Sequence, residues 1–280
     1  MIPDEGSRVN RVVPPSPDGA GRLDLARPNA ARMYDYYLGG SANVAVDRDA
    51  ADELIQALPD TVFSARANRS FMGRVVRFLA QQGIDQFLDL GSGIPTVGNV
   101  HEIAQAVNPD ARVAYVDIEP VAVSYAHKLL VDEKQVTITK ADIRRPGTVL
   151  AAHGVHDLLD FTRPVAVLAI AILHAMSDAD RPLEFMAEYR AACVPGSYLA
   201  ISHLNAQTWD PAEMSHFQQV YARTPTPVTH RDRAEILRFM TGYDLVEPGL
   251  VLLPEWRPTE RPSPEDSPRS NSYGAVGRLN

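Results

Sequence analysis

The feature that most constrains this chain is a series of short apolar runs, each separated from the next by a helical stripe, between residues 86 and 202. Residues 86–90, 112–116, 136–139, 165–173 and 198–202 are too short for buried helices and read as buried strands. Between them the period changes. Met72, Val75, Val76 and Leu79 fall at i, i+3, i+4 and i+7 within 65–82, the stripe of an amphipathic helix. Asn99 can cap a second helix with Val100, Ile103, Ala104 and Val107 inward. Glu119-Pro120 starts a third with Ala122, Tyr125, Ala126 and Leu129 inward. Further helices are expected from Ser177-Asp178 and Pro182 to about Cys193, and from Thr229 to near Gly242. Residues 245–253 and 273–279 read as a closing hairpin around an exposed proline-rich loop, 257–268. Strands alternating with helices call for an α/β fold, a mainly parallel sheet covered on both faces. Arg66, Arg69, Arg74 and Arg77 lie largely off the apolar stripe and read as a solvated face.

Composition narrows the function. A net charge of -8 over 280 residues argues against non-specific nucleic-acid binding. A single cysteine, Cys193, excludes an internal disulfide and points to a reducing, cytoplasmic setting. The longest apolar run is far too short to span a bilayer, and no signal-peptide pattern opens the chain. Residues 1–22 are polar and aperiodic, the composition of a flexible tail. The expected organisation is one domain over 23–280, with an N-terminal helical cap (23–82) and a core (83–280).

Ligands of open parallel sheets bind beyond the carboxyl ends of the strands, where the strand order switches. After the first strand comes Asp89-Leu-Gly-Ser-Gly93, whose glycines permit a tight turn and close approach to a ligand. After the second comes Asp117, placed to accept both hydroxyls of a ribose. After the third comes Ala141-Asp142-Ile143, where an acid can accept from an adenine amino group. The three acids follow one another at about one βα unit. A dinucleotide fingerprint would need a third glycine, where Ile94-Pro95-Thr96 stands. Asp89 would also repel a diphosphate, whereas it suits a ligand bearing an ammonium group. S-adenosylmethionine (SAM) therefore fits better than NAD.

Asn29-Ala-Ala-Arg-Met-Tyr-Asp-Tyr-Tyr-Leu-Gly-Gly-Ser-Ala-Asn43, Asn68-Arg-Ser-Phe-Met72, Phe87-Leu-Asp-Leu-Gly-Ser-Gly-Ile-Pro-Thr96, Tyr115-Val-Asp117 and Tyr273-Gly-Ala-Val-Gly-Arg278 resemble the "S-adenosyl methyltransferase" family. That family is abundant in actinobacteria and was formerly a domain of unknown function; the resemblance runs from about Arg27 to the C-terminus. It implies a Rossmann-like class I methyltransferase, with a seven-stranded mostly parallel sheet into which a final antiparallel strand inserts. It further implies that Gly91, Ser92 and Gly93 approach the amino-acid portion of SAM, with Asp89 near its ammonium. Asp117 would hold the ribose and Ile118 would pack on adenine. Asp142 and the Ile143 backbone would read the adenine edge, while Ala169 and Ile170 would close the sulfonium side. No Asn-Pro-Pro-Tyr element follows the fourth strand; Leu173-His174 stands there, a pattern similar to small-molecule methyltransferases.

His174, at the cofactor edge, is the candidate base, with His203 a second residue near the acceptor. Tyr34, Tyr37 and Asn43, around a flexible turn at Gly39-Gly40, are candidates for a lid that excludes water. His153 and His156 read as a surface loop rather than a metal site. The expected function is methyl transfer to a small-molecule acceptor, with neither membrane nor nucleic acid as partner. The alternative is a SAM- or nucleoside-binding protein without transfer activity, and an NAD oxidoreductase ranks third. Acceptor and oligomeric state are left open.

Overall fold

Five parallel strands fall where the apolar runs place them: β1 (Gln86–Leu90), β2 (Arg112–Asp117), β3 (Val136–Lys140), β4 (Ala166–Ile170) and β5 (Tyr198–Leu204). The computed structural model describes residues 24–95, 98–205 and 209–280, so the expected tail (1–22) and Thr96 lie outside the described residues. Three further strands, β6 (Tyr243–Leu245), β7 (Val251–Leu252) and β8 (Ser272–Leu279), complete one sheet. Its order is β3-β2-β1-β4-β5-β8-β6, with β7 also paired to β8. β8 runs antiparallel between β5 and β6, so the seven-strand path expected of class I methyltransferases is present and the two-residue β7 is an addition.

β1 is buried along its whole length and pairs with β2 on one side and β4 on the other. The order therefore reverses at β1/β4, which is where a crevice must open. The register sets Asp89 opposite Tyr115 and Leu168, and Asp117 opposite Lys140, so the acids sit at one edge of the sheet.

Helices cover the sheet because each has one apolar face. α3 (Thr61–Gln81) buries Phe71, Met72, Val75, Val76 and Leu79 on one face of the sheet, with α4 (Val100–Gln105) and α5 (Pro120–Leu129) beside it. The cap expected over 23–82 is thus shorter than that, since most of α3 is a core layer. The opposite face carries α6 (Pro146–Leu150), α7 (His153–His156), α8 (Pro182–Ala192) and α10 (Arg233–Leu237). α1 (Ala30–Tyr37), α2 (Ala45–Ala57) and α9 (Pro211–Tyr221) form a separate apolar cluster with Ala65 at the start of α3. α11 (Asp266–Arg269) lies at the rim, where Arg269 pairs with Asp60 at 2.8 Å.

The cap is anchored by Arg32 and Asp47, a buried pair at 2.6 Å. Asp47 also accepts the Asn29 and Val44 backbone N–H groups, and Arg32 donates to the Asp24 and Arg27 carbonyls, so the pair is buried with its hydrogen-bonding groups satisfied.

Several expectations need correction. The apolar run 165–173 does not stay extended: β4 ends at Ile170 because Ala171 takes φ +54°, and Leu173–Ala175 forms a 3-10 turn. Leu173 is nevertheless fully buried, so apolarity persists past the point where the backbone turns. The helix expected from Thr229 begins only at Arg233, where the Asp232 carboxylate accepts the Glu235 N–H at 2.8 Å. The segment 177–193 is a 3-10 turn followed by α8, broken at Arg181 with φ +55°. Val107 and Leu129 are 38% and 58% exposed rather than inward, because α4 stops at Gln105 and Leu129 is the last residue of α5. The hairpin becomes two short strands pairing in succession along β8. His153 and His156 lie in α7, a helical turn rather than a loop, paired with Asp157 on the surface. Among the described residues no helix is long and apolar enough to cross a membrane.

Candidate active site

A cavity of about 660 Å³ opens over the carboxyl ends of β1 to β4 and continues beneath α1, α2 and α9. Its first half is built by strand ends. Gly91, Ser92 and Gly93 follow β1, and both glycines have positive φ (+72° and +67°). A Cβ on Gly91 would meet the Ile172 side chain at 2.4 Å, so this glycine packs two strand-end loops against each other. A Cβ on Gly93 would meet nothing within 4 Å and would stand in open space at a residue that lines the cavity.

Asp117 accepts the Gly93 N–H at 2.7 Å and the Glu119 N–H at 2.8 Å, one on each oxygen. A carboxylate offers roughly four acceptor sites, so two remain for a diol. Burial pushes its pKa up, and the two backbone N–H groups pull it down. Asp89 is more perturbed: burial raises it to about 7, against the opposing pull of the Arg69 guanidinium. Asp142 lines the cavity too, but Arg144 clamps both its oxygens and holds its pKa below the usual carboxylate range. Ile118 (55% exposed), Ile143 and Ile170 line the wall. Ala169 does not; it is fully buried in the layer on the opposite face.

Two of the four arginines read as solvated point inward. Arg69 lines the cavity and donates to Asn99 Oδ1, and Arg74 donates to the Trp256 and Leu253 carbonyls. Both were hidden because a long side chain can leave the polar face of its helix and reach a neighbouring element.

The second half is made by the cap. Tyr34 and Tyr37 line it, joined by Trp209, Phe217 and Tyr221. The Tyr34 hydroxyl donates to the Ala65 carbonyl and accepts from Asn68 Nδ2. Asn68 Oδ1 accepts from Ser202, whose hydroxyl in turn accepts the Ala171 N–H, so a hydrogen-bonded chain runs from the cap to the end of β4. Asn29 Nδ2 donates to Glu119 at 2.7 Å and ties the cap to the loop after β2. Asn43 is not in the wall. It donates to Asp35 and to the Gly40 carbonyl, and the Asp35 carboxylate fills the turn so closely that Gly40 has no room for a Cβ. The Tyr-Asp-Tyr-Tyr-Leu-Gly-Gly segment is thus partly a structural signature.

His174 lines the cavity, but burial lowers its pKa to about 3. Its Nδ1 accepts the Leu204 N–H at 3.3 Å, which leaves the ring proton of the neutral form on Nε2. His203 is fully buried, lies outside the cavity wall, and is engaged by the Leu204 carbonyl and Arg231. α9 supplies Phe217 and Tyr221, with Trp209 just before it, and was missing from the sequence reading. The signal was present: Asp210-Pro211 with Glu213 is a capping box with proline at the first helical position, and Asp210 accepts the Ala212 and Glu213 N–H groups.

A sheet of this order, with glycines after β1 and acids after β2 and β3, defines a class I methyltransferase fold with a nucleoside-type crevice. The chain belongs to the S-adenosyl methyltransferase family, whose model matches residues 17–280. Its cofactor is S-adenosylmethionine. A candidate methyltransferase from Thermobifida fusca YX is 38% identical, with a TM-score of 0.86 over 92% of this chain and 97% of that one. A DUF574 family protein from Streptomyces avermitilis MA-4680 is also 38% identical, with a TM-score of 0.87 over 92% of this chain and 100% of that one. No curated protein matches the sequence.

The residues present fit this cofactor. Open space faces Gly93, Asp117 has acceptor sites to spare, and Asp89 supplies a buried carboxyl for an ammonium.

Proposed function

We propose that the protein transfers a methyl group from SAM to a small molecule held beneath the helical cap. The observation that supports this reading is the continuity of the cavity: the strand-end half and the cap half form one space. A bound cofactor supplies a methyl carbon on a sulfonium; the acceptor's lone pair forms the new bond as the C–S pair returns to sulfur.

The chain's own residues bind and orient. Asp117 takes the ribose hydroxyls, Ile118 and Ile143 enclose the adenine, and Asp89 holds the ammonium. Asp142, already clamped by Arg144, shapes the adenine end more than it reads it. Ile170 and Ala171 close the end of β4. The cap excludes water, which strengthens electrostatic interactions inside. His174 serves as a hydrogen-bond donor through Nε2 rather than as a base, since a neutral ring whose pKa is pushed down to about 3 is too weakly basic to take up a proton at neutral pH. The acceptor then presents a nucleophile that is free to react at neutral pH. Incubating the protein with SAM and an extract of small molecules should give S-adenosylhomocysteine (SAH) and a product heavier by one methyl. SAH formation that never depends on any small molecule would overturn the reading.

A further inference from the structure

The cap half of the cavity is walled by aromatic rings set close together. Trp209 and Phe217 stand 4.8 Å apart between centroids, and Phe217 stacks on Tyr221 at 4.4 Å with an interplanar angle of 26°. Tyr34 and Tyr37 join the wall from α1, Leu54 from α2 and Leu58 from just after it. Charge is sparse here. Asp60 is paired with Arg269 at 2.8 Å, and Glu213 is spent on the Asp210 N–H that caps α9. The contrast with the strand-end half is chemical, since that half is lined by Arg69, Asp89, Asp117, Glu119 and Asp142.

A second observation marks the wall as a binding surface. The Tyr37 hydroxyl is buried, with the residue 5% exposed, and has no hydrogen-bond partner among the described residues. Buried hydroxyls are nearly always satisfied, so one that is not calls for an explanation, and a ligand held at the wall supplies one. The neighbouring Tyr34 hydroxyl, by contrast, donates to the Ala65 carbonyl and accepts from Asn68.

We propose that this half binds a flat, uncharged aromatic ring system, stacked against Trp209, which Phe217 backs, and offered a hydroxyl by Tyr37. The inference rests on the methyltransferase reading for what is then done to the ligand, but not for its binding. Rings prefer offset-stacked or edge-to-face partners, which a flat ligand provides and a puckered one of equal size does not. An aliphatic ligand would gain only the burial of its area.

Calorimetry on the SAH-loaded protein with 2-naphthol and its saturated analogue, decahydro-2-naphthol, separates the two, because they share a skeleton and a hydroxyl and differ in flatness. 2-Naphthol should bind about tenfold more tightly. Trp209→Leu and Phe217→Leu should each weaken 2-naphthol about five- to tenfold while SAH binds as in the parent, which shows the variants are folded. Equal affinity for the two probes, no detectable binding of 2-naphthol, or leucine variants that bind it as the parent does would each overturn the proposal. Failure of the methyltransferase reading looks different: 2-naphthol would still bind selectively while no small molecule accepts a methyl group.

Discussion

The two halves of the cavity are made in different ways. The strand-end half uses backbone geometry and single acids: Gly91 and Gly93 with positive φ, and Asp89 and Asp117 at adjacent strand ends. Each of these positions is determined by its own few residues and by the sheet register. The cap half assembles Tyr34 and Tyr37 with Trp209, Phe217 and Tyr221, residues far apart in the chain that meet only by tertiary packing. A nucleoside cofactor is the same molecule everywhere, so its site can be a property of the fold; an acceptor site has to be built by whatever the fold adds.

If that contrast is right, the largest effect of any single substitution should fall in the glycine loop. Gly91→Ala places a Cβ 2.4 Å from the Ile172 side chain at φ +72°. The left-handed backbone costs about 1–2 kcal/mol and the overlap about 1–3 kcal/mol more. Gly93→Ala, with open space around it, carries only the backbone cost but puts a methyl where the cofactor should lie. Thermal unfolding should therefore drop much further for Gly91→Ala, and SAH affinity should fall for both. Equal losses of stability would show that Ile172 yields easily and that the loop is less tightly fixed than its geometry implies.

Next in size is Asp117→Ala. On the proposed ribose contact, two charge-assisted hydrogen bonds to the cofactor, each worth about 1.5–3 kcal/mol, are lost and partly replaced by water. Calorimetry should show about a 10- to 100-fold loss of SAH affinity. An unchanged affinity would remove Asp117 from the ribose site.

A smaller effect is expected from pH. Burial raises Asp89 to about 7, so its carboxyl is neutral below that value and charged above it. Only the charged form attracts an ammonium, and SAH affinity should rise between about pH 6 and about pH 8, by about tenfold. Asp89→Asn should bind weakly at both and lose the slope. A parent protein with a flat profile would mean that Asp89 does not face the cofactor's ammonium.

The difference between the halves also explains what could be read in the sequence. The strands, the switch point, and the glycine and acid positions were legible because each follows from period and local spacing. So was the burial of Met72, Val75, Val76 and Leu79. Arg69 was not, because its direction depends on Asn99, the N-cap of α4, lying within reach. Trp209, Phe217 and Tyr221 were not, because no local pattern says which cavity a helix will roof. Asn43 was misplaced for the opposite reason: its partners, Asp35 and Gly40, are local and satisfy it before any ligand can.

The smallest expected effect tests the cap half by subtraction. The Tyr37 hydroxyl is buried without a partner among the described residues, and an unsatisfied buried hydroxyl costs about 1–3 kcal/mol of stability. Burial also raises its pKa well above the usual tyrosine value, so the group is a neutral donor throughout the accessible pH range. Tyr37→Phe keeps the ring packed against Leu54 and Phe217 and removes only the oxygen. The ligand-free protein should therefore gain about 1 kcal/mol on denaturant unfolding, with the slope unchanged. SAH affinity should stay within about twofold, because the strand-end half is untouched. A loss of stability would mean that the hydroxyl already has a partner, and its availability to an acceptor would go with it. A gain in stability, with SAH binding intact, is what a hydroxyl kept for a ligand predicts.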